Sequence, residues 1–260
     1  MSDRPEVSEY MSEPAVLVFS QTLGWRHNEG IAGADLFFAE LATDRGYGLF
    51  TTAQPGVFNA QDLARFDVIV FNNVSGEVLS AQQRQAFEDW MADGGAWIGL
   101  HGAGDASIAS WTWYQDNLIG TRFLGHIMAP QFQTARVVTL SGTHPVMQDV
   151  PAQWEHRDEW YSFDRVPDME GLVLLAGLDE TSYSPRNTVV TDWPEDLAMS
   201  DDPTQHPIIW GRCTPHYRAV YSALGHGFET YRDPIYRQIL GQAFDWVRTN
   251  RTQPDTDCPD

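Results

Sequence analysis

Gly94-Gly95-Ala96-Trp97-Ile98-Gly99-Leu100-His101-Gly102-Ala103 is the stretch that decides the fold. A glycine pair closes a preceding helix. The apolar run Ala96–Leu100 does not alternate in polarity, which is the mark of a strand covered on both faces. Small residues then flank one reactive side chain on a tight strand-to-helix turn, the shape of a nucleophile elbow. Serine or cysteine normally stands at its centre; here it is His101. Imidazole can act as acid, base, metal ligand or hydrogen-bond donor near neutral pH. The plainer reading is that the glycines permit close helix–sheet packing and His101 fills space.

Working outward, Ser80 and Gln83 form a capping box at the start of a helix that carries Phe87, Trp90 and Met91. Ala15–Phe19, an apolar run, and Asp67–Phe71 read as further buried strands. From Glu29 to Asp44, Ile31, Leu36, Phe37 and Leu41 recur at helical spacing until Gly46. A strand follows over 47–51 and a small helix over 60–64. This alternation predicts an α/β fold with a mainly parallel sheet. The second half is richer in strands, over 135–140, 171–175, 207–211 and 218–224, before a closing helix over 233–249. The stretch 179–205, rich in Pro, Asp, Ser and Thr, reads as a long loop or insertion. The reading is one domain over 14–250, with a disordered N-terminal tail over 1–13 and a polar C-terminal tail over 251–260.

Composition excludes several activities. Hydrophobic residues make up 42% of the 260, enough for a large core. The net charge of −20 argues against nucleic acid and against anionic membrane surfaces, and reads as a solvated acidic surface. All 16 basic residues are arginine. Without lysine there is no Schiff base and no phosphate-binding P-loop or kinase lysine. Two distant cysteines, Cys213 and Cys258, make neither a disulfide framework nor a zinc ribbon. The start, Met1 to Glu13, is polar and lacks the apolar core of a signal peptide. No apolar run approaches the roughly 20 residues that span a bilayer, so the expected location is the cytoplasm.

Ligands of open parallel sheets sit outside the carboxyl ends of the strands. The tips here read Gly24-Trp25-Arg26-His27, Asn72-Asn73-Val74-Ser75, His101-Gly102-Ala103-Gly104-Asp105 and Gly225-His226-Gly227. Three of the four carry a histidine, so His27, His101 and His226 are candidate site residues. Glu159 lies between Asp158 and the aromatics Trp160 and Tyr161. A partly desolvated carboxylate there would suit acid–base work; the plainer reading is an exposed turn beside core aromatics. Trp25, Trp160 and Tyr161 could stack on sugar rings or simply pack. His144 reads as structural and His206 as either; His126, His156 and His216 are left unassigned.

The segments Val16–His27, Gly94–His101, His156-Arg157-Asp158-Glu159-Trp160-Tyr161, His206–Trp210 and Tyr221–His226 together resemble the motifs of the trehalose-utilisation (ThuA-like) family, over about residues 15 to 248. That resemblance implies a flavodoxin-like, three-layer α/β sandwich of the class I glutamine amidotransferase type. Those amidotransferases carry cysteine at the elbow; with His101 there, hydrolysis of glutamine through a thioester is not available, and Cys213 is not placed to replace it.

The family name implies an enzyme of trehalose or disaccharide metabolism, plausibly working at a 3-keto sugar stage, with a small carbohydrate as its partner. His101, His226 and Glu159 would share acid and base roles, and His27 would orient the substrate. Trp25, Arg26, Asn73, Asp105, Trp160, Tyr161 and His206 are the expected substrate-binding residues. No cofactor is expected. A second version adds a zinc-like divalent metal on three histidines and a glutamate, although no local His-x-x-x-His pair supports it. The alternative from another class is a non-catalytic sugar-binding or interaction module. A homo-oligomer is left open.

Overall fold

The computed structural model describes residues 4–252. In chain order the elements are β1 (Ala15–Phe19), α1 (Asn28–Arg45), β2 (Gly48–Thr52), α2 (Ala60–Leu63), β3 (Val68–Asn72), α3 (Ala81–Ala92), β4 (Ala96–Leu100), α4 (Thr112–Tyr114), β5 (Phe123–His126), β6 (Gln133–Thr139), β7 (Gln153–Asp158), β8 (Tyr161–Phe163), β9 (Leu172–Asp179), β10 (Pro207–Cys213), β11 (Arg218–Ser222) and α5 (Pro234–Thr252).

Nine strands form one sheet in the order β2-β1-β3-β4-β11-β10-β9-β6-β7, and β5 pairs with β8 beside it. From β2 to β11 every pairing is parallel; from β11 to β7 every pairing is antiparallel. Only β10 and β6 therefore run against the common direction. β1, β3, β4 and β11 are buried at every position; β1 and β4 are apolar throughout, whereas β3 ends in Asn72 and β11 begins with Arg218 and ends in Ser222.

The two faces separate on β3. The Phe71 ring meets Phe87 of α3, while the neighbouring Asn72 Nδ2 donates to Ile31 O of α1. Helices α1 and α5 share a face, joined by Arg45–Asp245 and Arg237–Glu40 ion pairs. This is the three-layer, flavodoxin-like α/β architecture expected. The Ser80–Gln83 capping box is present, and Gly46 ends α1 in the left-handed conformation.

The antiparallel half curls. In a flat sheet β7 would lie four strand spacings from β11, roughly 19 Å. Yet Asp158 Oδ2, at the end of β7, accepts from Gly225 N at 2.8 Å, just past β11. The short strands β5, β7 and β8 were not anticipated. In β7 burial alternates strictly, and its inward positions are Trp154, His156 and Asp158; the polar His156 and Asp158 hide the pattern of a half-buried strand.

Two expectations need correction. Residues 4–13 are not a free tail: Arg4 forms a two-bonded ion pair with Asp62, Arg65 donates to Val7 O and Ser8 O, and Val7 and Met11 pack against the core. Of the C-terminal tail, α5 takes in residues up to 252, and 253–260 lie outside the described residues. The 179–205 stretch is largely irregular, with short 3-10 turns at Glu180–Ser182 and Pro203–Gln205 and a bridge between Arg186 and Asp196. Among the described residues no helix is long and apolar enough to cross a membrane.

Candidate active site

His101 is the first residue past β4, and its backbone has φ +44. A side chain other than glycine pays roughly 1–2 kcal/mol to adopt this left-handed conformation. Such strain persists only where the surroundings over-determine it. Asn73, at the neighbouring tip of β3, is also left-handed, with φ +53, and its Oδ1 accepts from Gly102 N at 3.5 Å. The His101 ring is fully buried. Its Nδ1 lies 2.7 Å from Ala223 O, past β11, and its face lies against Tyr161, with ring centroids 4.2 Å apart. A carbonyl can only accept, so Nδ1 carries the proton and Nε2 points into the site.

Three histidines meet there. The His27 ring centroid is 4.6 Å from that of His101 and 4.7 Å from that of His226; His101 and His226 are 5.3 Å apart. Each comes from a different strand tip, β1, β4 or β11, so the three are brought together by the parallel order of the sheet. Glu159, one residue past β7, completes the group. Its Oε2 faces His101 Nε2 at 3.2 Å, without the alignment of a hydrogen bond. Its Oε1 accepts from Gln131 Nε2 at 2.6 Å, and lies 3.0 Å from His126 Nδ1 and 3.7 Å from His226 Nε2. Glu159 is only 1% exposed, so this carboxylate is met by histidines instead of water.

The electrostatics follow from that geometry. Burial works against charge on His101, but Glu159 and then Asp158 raise its pKa. Burial likewise opposes ionisation of Glu159, yet His101, His126 and His226 hold it below the usual carboxylate range. Both directions give an imidazolium beside a carboxylate. Burial, followed by the neighbouring histidines, pushes His27 down to about 2. His126 and His226 are also lowered, chiefly by burial, and stay neutral. One proton therefore sits within a cluster of otherwise neutral imidazoles.

The trehalose-utilisation (ThuA) family profile matches residues 15–247. The chain belongs to the ThuA family. A solved ThuA-like protein from Bacteroides uniformis ATCC 8492 is 26% identical, with a TM-score of 0.75 over 94% of this chain and 95% of that one. Another, from Parabacteroides merdae ATCC 43184, is 12% identical, with a TM-score of 0.66 over 95% and 94% of the two chains. A cytoplasmic protein from Salmonella typhimurium LT2 is 13% identical, with a TM-score of 0.55 over 91% of this chain and 98% of that one. The latter two likenesses establish the fold alone. No curated protein sequence matches the chain.

In this ThuA-family chain the expected binding residues divide. Tyr161 floors His101, and Asn73 supports the elbow turn from beneath. Trp25 is 72% exposed on the β1–α1 loop, where its carbonyl accepts from Ser75. The others are engaged elsewhere. Arg26 braces its own loop through Asn28, Ser20 and Thr22. Asp105 caps a turn through Ser107 N at 2.8 Å. Trp160 is buried, with Nε1 donating to Gln133 O, because successive residues at a strand end face opposite sides. His206 is fully buried between Glu180 Oε1 at 2.5 Å and Tyr161 O at 2.9 Å, and holds the 179–205 segment to the sheet.

Cys213 lies at the wrong end of the sheet for a nucleophile. It pairs with Arg218, which pairs with Ala96 at the start of β4, whereas His101 follows the end of β4. It is also disulfide-bonded.

Sequence reasoning missed His126, Gln131 and Asp158. His126 and Gln131 come from an irregular segment around β5, which lacks any periodicity to place it. Asp158 accepts from Glu159 N at 2.9 Å, Gly225 N at 2.8 Å and Thr230 Oγ1 at 3.0 Å, and so sets the positions of both Glu159 and the His226 loop.

Proposed function

We propose that this ThuA-family chain is an enzyme that moves protons on a sugar or sugar derivative at the His27–His101–Glu159–His226 cluster. The observation that carries the reading is Glu159, a buried carboxylate surrounded by His101, His126 and His226. Groups held apart in protonation state within one buried cluster suit paired acid and base work. The family's description, trehalose utilisation, supports a carbohydrate substrate.

For a glycoside carrying a ketone at C3, the steps balance simply. A base takes the C2 proton, which the adjacent ketone acidifies. The electron pair becomes the C1–C2 double bond as the C1–oxygen bond breaks, and an acid returns a proton to the departing oxygen. Ionised Glu159, protonated His101 and the part-exposed, neutral His126 and His226 provide both partners. His27 packs against His101 and His226 and orients them. Burial of a histidine–carboxylate cluster supports this reading over a non-catalytic binding module, which would need only an aromatic groove.

The test incubates the protein with a panel of glucosides and their 3-keto forms. Cleavage of a 3-keto glycoside that is lost in Glu159→Gln supports the reading. Stoichiometric sugar binding with no turnover of any panel member would replace it with the binding module.

A further inference from the structure

His27, His101, Glu159 and His226 each offer one potential ligand atom, and these four atoms all lie within 4.8 Å of one another. Two of the atoms are identified by elimination. His101 Nδ1 is committed to Ala223 O, leaving Nε2. Glu159 Oε1 is committed to Gln131, leaving Oε2. These two inner atoms are 3.2 Å apart. Ligands bound at about 2.0–2.1 Å around a tetrahedral ion lie about 3.3 Å apart, so this edge has the right length as it stands. The cluster spans at most 4.8 Å, so its widest separation needs a contraction of up to roughly 1.5 Å, which changes of side-chain torsion can supply.

The outer atoms are arranged as those of metal ligands are. A ligating imidazole typically donates its far N–H to a carbonyl or carboxylate, which fixes its tautomer and aims its lone pair. His101 does this to Ala223. A ligating carboxylate is typically hydrogen-bonded through its other oxygen, as Glu159 is by Gln131. The inner atoms, by contrast, lack partners: His101 Nε2 and Glu159 Oε2 are buried with no hydrogen bond, and His27 and His226 each also keep a buried ring nitrogen with none. Buried polar atoms are almost always satisfied, so a cluster of four groups short of partners calls for an occupant. A single proton serves one donor–acceptor pair, whereas a cation can draw on all four groups together.

From this geometry we infer that His27, His101, His226 and Glu159 hold a divalent transition-metal ion of zinc-like preference. Three imidazoles and one carboxylate, without thiolate, suit zinc and its neighbours better than calcium or magnesium, which favour all-oxygen shells. The ligands come from four separate strand tips, which explains the lack of any local metal-binding spacing. The side chains of His126 and His226 are 14% and 16% exposed, so the approach to the ion is from their side. The inference rests on the acid–base site proposed above and deepens it. An ion held there would supply an electrophile for a substrate oxygen and would leave His126 as the imidazole free to move protons.

The test reads metal binding without substrate, and so is separate from the sugar assays. Untagged full-length protein is stripped with chelator and titrated with Co2+, followed by visible absorption, and with Zn2+, followed by calorimetry. One ion per chain is expected, with the intense visible bands of four- or five-coordinate cobalt. Glu159→Gln and His226→Ala should weaken binding by more than about 100-fold, and Gln131→Ala by about 10–100-fold. Circular dichroism checks that each variant is folded. His226 is partly exposed, so its truncation keeps the test open if Glu159→Gln does not fold. Failure to bind near one equivalent, or equal affinity in His226→Ala, overturns the metal site. Full turnover of a keto sugar by chelator-stripped protein also overturns it while leaving the proposed function standing.

Discussion

Asp158 Oδ2 accepts the Gly225 backbone N–H at 2.8 Å, which fastens the edge strand β7 to the loop that follows β11. The same side chain accepts Glu159 N and Thr230 Oγ1. Removing it strands three buried donors, each costing about 1–3 kcal/mol. Asp158→Ala should therefore lower stability by about 3–5 kcal/mol, and Asp158→Asn by less, because its amide oxygen can still accept. Urea unfolding of the two variants measures this. A loss below about 1 kcal/mol in Asp158→Ala would show that the curl of the sheet does not depend on this residue.

Trp97 in β4 and His101 just past its end offer a contrast. Both are fully buried, so truncating His101 does open internal space, contrary to what an elbow residue projecting into an open pocket would do. Its left-handed backbone separates the two effects. His101→Gly relieves strain of roughly 1–2 kcal/mol and should melt closer to the wild type than His101→Ala. Trp97→Ala should lose about 3–5 kcal/mol. Both His101 variants should abolish turnover. Retained activity in either would make His101 a packing residue.

The pH dependence of stability should carry the signature of His156. Burial lowers its pKa, but Asp158 and Asp233 outweigh burial and raise it to about 9. A raised pKa in the folded state contributes stability that is fully present below the unfolded value near 6.5 and is lost as pH rises through 9. The full span is on the order of 3 kcal/mol. Unfolding free energies at pH 6, 7.5 and 9.5 should fall for the wild type and fall less steeply for His156→Gln. Parallel slopes for the two proteins would remove His156 from the account.

Gly30 lies in the first turn of α1, where it meets the His226 loop. A Cβ there would stand 2.3 Å from Gly225 O and 2.8 Å from His226 O, both backbone atoms that cannot yield cheaply. Gly30→Ala should displace His226 and reduce turnover at least tenfold, a shift of about 1.4 kcal/mol in the barrier. At Gly227, two residues past Gly225, an added Cβ meets nothing within 4 Å, so Gly227→Ala should be close to neutral. Steady-state kinetics on the pair would refute the crowding argument if the two variants behaved alike.

With His101 at the elbow, glutamine should release no ammonia. Alkylation should not inactivate the protein either, since Cys213 is disulfide-bonded and at the far end of the sheet. Glutaminase activity would overturn the placement of the elbow.

The local features were legible because their causes are local. Apolar runs at Ala15–Phe19, Val68–Phe71 and Ala96–Leu100 mark strands buried on both faces, and Ser80 with Gln83 sets the start of a helix whatever surrounds it. The rule that parallel strands open toward a ligand at their carboxyl ends then brought His27, His101 and His226 under suspicion from chain position alone. What the one-dimensional pattern could not contain was direction and distance. Trp160 and Tyr161 are neighbours in the chain, yet one donates into the structure at Gln133 and the other floors His101, and only the register of β8 separates them. His206 stands at a strand start as suspected, but Glu180 from a distant turn claims it for packing. His126 and Gln131 reach Glu159 through strand register, His126 standing opposite Tyr161 and Gln133 opposite Asp158, and the curl of the antiparallel half then brings Glu159 to His101. Residue type and spacing determine which elements form and which ends they offer. Contacts across 28 residues, as between Gln131 and Glu159, or 122, as between His101 and Ala223, are decided by how the elements pack, because burial and hydrogen-bond satisfaction are settled only in three dimensions.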